Sequence, residues 1–98
     1  MHGAFKTPGG KLVQVDFDVE DERLRNVEVT GDFFLYPEEA LTKITAAVEG
    51  SSADMTMADR AASIAAAIDP GVEWLGASPE ALATAIERAL LAAMETYE

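Results

Sequence analysis

The side chains best equipped for chemistry are three carboxylates spaced two apart, Asp16, Asp18 and Glu20, and a turn, Pro8-Gly9-Gly10, bracketed by Lys6 and Lys11. Alternate residues of an extended strand point to one face, so the three acids share the face that a cation or a glycoside-type acid/base pair would use. The outward face of an antiparallel sheet is usually polar, however, and no second element supplies a converging group, so solvated charges are expected. In the turn, missing side chains let backbone donors approach a phosphate or carboxylate closely. The Walker spacing is absent and nothing ahead of the turn reads as a buried strand, which favours a turn that launches a strand.

The remaining inventory is short. The chain has no cysteine, which removes disulfides, thiolate metal sites, cysteine nucleophiles and persulfide carriage together. The one histidine, His2, sits by the start of the sequence and is expected at the surface. No catalytic residue and no metal ligand set is therefore expected. A formal net charge of −11 over 98 residues repels phosphate and disfavours nucleic acid or an anionic membrane as a partner. No apolar run approaches the roughly 20 residues that span a bilayer, and no basic-then-apolar leader opens the sequence, so a soluble cytoplasmic protein is expected. Acidic residues are spread along the chain, lysine is scarce and alanine replaces larger aliphatics, a composition that resembles that of halophilic proteins, the alternative being an acidic protein of an ordinary cell. At molar salt, where the Debye length is about 3 Å, such a surface scarcely repels itself.

Ninety-eight residues predict one domain with a modest core. From Lys11 to Glu20, Val13, Val15, Phe17 and Val19 alternate with polar residues, the period of a half-buried strand. Residues 20–23 form a polar turn, and Arg25, Val27 and Val29 belong to the returning strand of an antiparallel hairpin. Leu24 breaks the alternation, either capping the hairpin end or marking a bulge. Gly31-Asp32 then interrupts the strand, with a bend that the aspartate carboxylate is expected to support by accepting backbone hydrogen bonds. Phe33 and Phe34 follow in extended chain and point to opposite faces, so one of them looks away from the core. Leu35 ends a short third strand. Helices are predicted over 37–49, with Leu41, Ile44 and Val48 as apolar stripe, and over 56–68, with Ala61, Ile64, Ala65 and Ile68 inward. Trp74 lies in a short apolar connector and is expected to plug the core. A last helix starts at Pro79, capped by Ser78, and reaches Tyr97 with Leu82, Ile86, Leu90 and Met94 on one stripe. Segregated strands and helices predict an α+β fold, a small antiparallel sheet covered on one face by about three helices.

Four stretches together carry a resemblance: the run from Lys6 to Val13, the hairpin, the Thr30-Gly31-Asp32-Phe33-Phe34 joint and the Gly76-Ala77-Ser78-Pro79-Glu80 helix start. They resemble the C-terminal accessory domain of lipoate–protein ligases, which stands alone as the small subunit of bipartite archaeal enzymes. The resemblance implies a fold similar to sulfur-acceptor and iron–sulfur scaffold proteins. It implies a non-catalytic accessory subunit that supports activation of lipoate to lipoyl-adenylate by a separate catalytic subunit, which would hold ATP, magnesium and lipoate and would serve lipoyl-acceptor domains. A sulfur acceptor or cluster scaffold would need thiolates that this chain lacks. A stand-alone interaction or dimerisation domain unrelated to lipoate is the other class left open. Hairpin pairing about residues 20–23 sets residues 11–13 opposite 30–32, so Lys6, Gly9, Gly10, Lys11, Gly31, Asp32, Phe33 and Phe34 are expected to form a patch that docks the partner.

Overall fold

A computed structural model describes residues 1–95, and the side chains of residues 1–92. In chain order the elements are β1 (His2–Lys6), β2 (Leu12–Glu20), β3 (Arg23–Gly31), β4 (Phe34–Tyr36), α1 (Ala40–Val48), α2 (Met57–Ala66), β5 (Glu73–Leu75) and α3 (Pro79–Glu95). Strands β1, β2 and β3 form one antiparallel sheet with β2 in the centre, and β4 pairs with β5 in a separate two-stranded ribbon. The fold is α+β, with the sheet's apolar face under the helices. Val13, Val15 and Phe17 of β2 and Leu24, Val27 and Val29 of β3 point into a core completed by Ile44, Val48, Ile64, Leu82 and Ile86.

The hairpin of β2 and β3 turns at Asp21 and Glu22, both at positive φ, as a two-residue hairpin needs to match the strand twist. Leu24 lies on the core face opposite Val19, because the register shifts between Asp16 and Asp18. Asp16 pairs with Glu28 and Asp18 with Arg25, so Asn26 and Val27 together oppose Phe17. This bulge, with Asn26 at φ 56°, is what breaks the sequence alternation and returns both Leu24 and Val27 to the core.

Several expectations are refined. The third strand of the main sheet is β1, whose residues His2–Lys6 pair with Leu12–Asp16, while the short strand ending near Leu35 belongs to the ribbon. The connector carrying Trp74 is itself a strand. Helix α1 begins at Ala40, three residues later than predicted, because Ala40, Leu41 and Thr42 donate to the carbonyls of Pro37, Glu38 and Glu39 in tight i to i+3 turns ahead of it. In α2, Ala65 is exposed and Arg60 takes an inward place instead. Arg60 is 1% exposed. Its guanidinium donates to the Ser52 carbonyl at 2.9 Å and to Ser51 Oγ at 3.3 Å. Burial pushes its pKa down, and the Glu87 carboxylate opposes that shift.

Helix α3 starts as predicted, with Ser78 Oγ accepting the Ala81 N–H at 3.1 Å. Its inner face reads Ala81, Leu82, Ala85, Ile86 and Ala89, all buried. The small residues let α3 lie directly against β1, where a Cβ on Gly3 would collide with the Ala85 carbonyl and Ala89. Met94 and Tyr97, expected at the end of this helix, fall outside the described side chains. Among the described residues no helix is long and apolar enough to cross a membrane.

Candidate partner-binding surface

The joint after β3 places its two phenylalanines by bending the chain. Gly31 has φ 148°, and a Cβ there would strike the Leu12 carbonyl, so glycine alone fits this close crossing. The Asp32 N–H donates to the same carbonyl at 3.1 Å. Asp32 thus supports the bend through its backbone and not through its carboxylate as expected, because its amide continues the ladder that the side chain was expected to replace. Residues 12 and 13 do face 31 and 32, as pairing about the 20–23 turn requires.

Beyond the bend, β4 and β5 pair Phe34 with Leu75, Leu35 with Trp74 and Tyr36 with Glu73. Residues directly opposite in a ribbon share a face, and alternate pairs change face. Leu35 and Trp74 turn inward, and Phe33 stacks on Trp74 with ring centroids 6.5 Å apart and planes 20° apart. The opposite face presents Phe34 at 65%, Tyr36 at 71% and Leu75 at 52% exposure. These are three of the six large hydrophobic side chains exposed among the described residues, gathered on a ribbon of two three-residue strands. Covering an aromatic or leucine side chain is worth about 1.5–3 kcal/mol, so this face is the strongest apolar anchor available to a partner.

The eight residues expected to form a docking patch divide. Phe34 lies on the exposed ribbon face, and Phe33 is half-buried beneath it. Lys11 is exposed beside the ribbon: its N–H donates to the Gly76 carbonyl at 2.8 Å, one residue past Leu75. Gly10 also approaches that carbonyl, and Gly31 and Asp32 form the joint leading into β4. Lys6, at the end of β1 opposite Leu12, and Gly9, at the tip of the next turn, make no hydrogen bond to the ribbon among the described residues. Two of the amides that an anion would use are committed, since Gly10 donates to the Thr7 carbonyl at 2.7 Å and Lys11 to Gly76. Two of the three acids of β2 are likewise locally engaged: Asp16 pairs with the His2 ring at 2.9 Å and Asp18 accepts from Asn26 Nδ2 at 3.0 Å. Sequence reasoning missed Tyr36 and Leu75. The Phe34-Leu35-Tyr36 alternation pointed to Tyr36, whereas Leu75 joins the face only through strand pairing.

The chain matches no protein-family model. Its α+β fold is that of a chain in the solved archaeal lipoylation system of Thermoplasma acidophilum, a bi-partite lipoate protein ligase with its E2 lipoyl domain. The superposition has a TM-score of 0.71 at 24% identity, over 88% of this chain and 92% of that one. The sequence is also similar to Lipoate-protein ligase A subunit 2 of the same organism, at 32% identity over 41 residues. That stretch is 42% of this chain and spans 44% of the relative's length, so the sequence match covers less than half of either protein.

Proposed function

We propose that this chain is the non-catalytic accessory subunit of a lipoate–protein ligase and supports ATP-dependent formation of lipoyl-adenylate by a separate catalytic subunit. The observation that carries the reading is the exposed Phe34–Leu75–Tyr36 face, on the fold of a chain from a bi-partite ligase. Its chemistry is that of docking. The catalytic subunit covers this face, with Lys11 and Asp32 at its border, and holds ATP, magnesium and lipoate. Lipoyl-acceptor domains are then reached indirectly, in the cytoplasm. The charge of −11 argues against nucleic acid and anionic membrane as partners.

Lipoate-dependent pyrophosphate exchange tests the reading, measured with this chain, with a candidate catalytic subunit from the same cell, and with both. Exchange only with the pair, lost in a Tyr36→Ser, Leu75→Ser variant that keeps its fold, is the expected result. Exchange by this chain alone would refute it. A concentration-dependent dimer with no effect on exchange would favour the stand-alone dimerisation reading.

A further inference from the structure

The outer edge of β3 is closed along only half its length. At the hairpin end, Leu24 exchanges backbone hydrogen bonds with Gly50 and Ser51, Ala53 donates to the Glu22 carbonyl, and Arg23 bridges to Ser52. The Glu49 carboxylate then takes the Asn26 and Val27 amides. From Glu28 to Gly31 no described residue pairs with this edge. The Asp32 N–H on Leu12 fixes the parity: Glu28 and Thr30 bond inward to β2, while the N–H and C=O groups of Val29 and Gly31 point outward. An unpaired ladder of this kind is a template for another strand.

Beside the open edge, α1 leaves a trough. Two depressions of about 480 and 440 Å³ adjoin there, sharing Val29, Leu41 and Thr42 in their walls. Thr45 and Ala46 continue the helix side, and Phe33, Phe34 and Leu35 close the end near the joint. The charged residues lining it are Glu28, Glu38 and Glu49, with no lysine or arginine among them. We propose that this trough binds an extended segment of a partner protein in which apolar residues alternate with lysine or arginine, added to β3 as a further strand. Val29 and Gly31 supply the main-chain hydrogen bonds, Leu41 and Ala46 receive the apolar side chains, and Glu28 and Glu38 meet the basic ones. Main-chain pairing with side chains read alternately is how sheet edges bind peptides. A second copy of this chain is a poor occupant, because it brings its own charge of −11 and its own Glu28 and Glu38 to the same place. The inference goes beyond docking of the ribbon face, with which the trough shares Phe34, and uses neither Tyr36 nor Leu75.

The probe is a fluorescein-labelled octapeptide of alternating lysine and valine, titrated against the full chain at low salt and compared with a glutamate–valine counterpart. The basic peptide should bind at least tenfold more tightly and slow amide hydrogen exchange at Val29 and Gly31. Ala46→Arg, at an exposed position of α1, should weaken binding at least tenfold with an unchanged circular dichroism spectrum, and Thr42→Arg, also exposed, serves the same purpose should that variant fold poorly. Tyr36→Ser with Leu75→Ser should leave the affinity unchanged, which separates this site from the ribbon face. No binding, binding indifferent to both arginine substitutions, or binding without protection of Val29 and Gly31 would overturn the proposal.

Discussion

Glu49 Oε1 accepts the Val27 N–H at 2.9 Å, and its other oxygen accepts the neighbouring Asn26 N–H at 3.1 Å. A residue just past the end of α1 thus satisfies both donors that the bulge in β3 releases from the ladder, and fastens the helix to the sheet. Unpaired backbone donors cost free energy as they leave water, so the carboxylate makes the bulge tolerable. Glu49→Ala is expected to lower stability by about 1–2 kcal/mol in urea unfolding, with Glu49→Gln in between. Equal midpoints for all three proteins would show that water satisfies the bulge equally well.

Gly3 sets how closely β1 lies on α3. A Cβ there meets the Ala85 carbonyl and the Ala89 backbone, neither of which can turn aside. Gly3→Ala should destabilise the protein by about 1–3 kcal/mol through overpacking, although alanine is ordinarily the better strand residue. Thermal denaturation measures this, and an unchanged or raised midpoint would contradict the close packing of β1 on α3.

Phe33 and Phe34 are adjacent but perform different work. Phe33→Ala removes the ring stacked on Trp74 and should cost about 2–4 kcal/mol, somewhat less than a fully buried phenylalanine. Phe34→Ala should leave the unfolding midpoint within about 0.5 kcal/mol and instead weaken association with the catalytic subunit. Calorimetric titration against that subunit, run beside denaturant unfolding, separates the two effects. The assignment fails if Phe34→Ala binds as tightly as the parent chain.

Arg60 is a buried cation whose Nε has no hydrogen-bond partner. Its charge is costly to bury, while its hydrocarbon stem lies in the interior with it. Arg60→Met, which keeps volume and removes the charge, should equal or exceed the parent in stability, and Arg60→Ala should fall below it by about 2 kcal/mol or more. A methionine variant weaker than the parent would show that the bonds to Ser51 and Ser52 outweigh the desolvation.

The charge of −11 predicts that folding strengthens with salt. Self-repulsion is felt in dilute buffer and is largely screened at 1 M, where the Debye length is about 3 Å. Thermal midpoints followed by circular dichroism should rise as potassium chloride is raised from dilute buffer to about 1 M, where screening is nearly complete. A flat profile would remove the halophilic reading.

Local pattern by itself determined the hairpin of β2 and β3, the three helices, the Ser78 cap, the bend at Gly31 and the opposed directions of Phe33 and Phe34, because period, caps and turn residues act within a few positions of one another. It also placed Leu24 out of step, the trace of the bulge. The tertiary structure alone decided the rest. Strand β1 holds Gly3 and Ala4, too small to show an alternation, and becomes a strand through β2 on one side and the alanine face of α3 above it. Strand β5 is three residues long and exists through β4, some forty residues earlier in the chain by rough count, which is why Leu75 could not be assigned to the ribbon face beforehand. Which phenylalanine faces outward depended on Trp74 as well. Arg60 of α2 and Glu49, just past α1, find their partners only in the loop at 50–53 and the bulge in β3. Long-range pairing, in which each partner is unremarkable alone, leaves no periodic mark on the sequence.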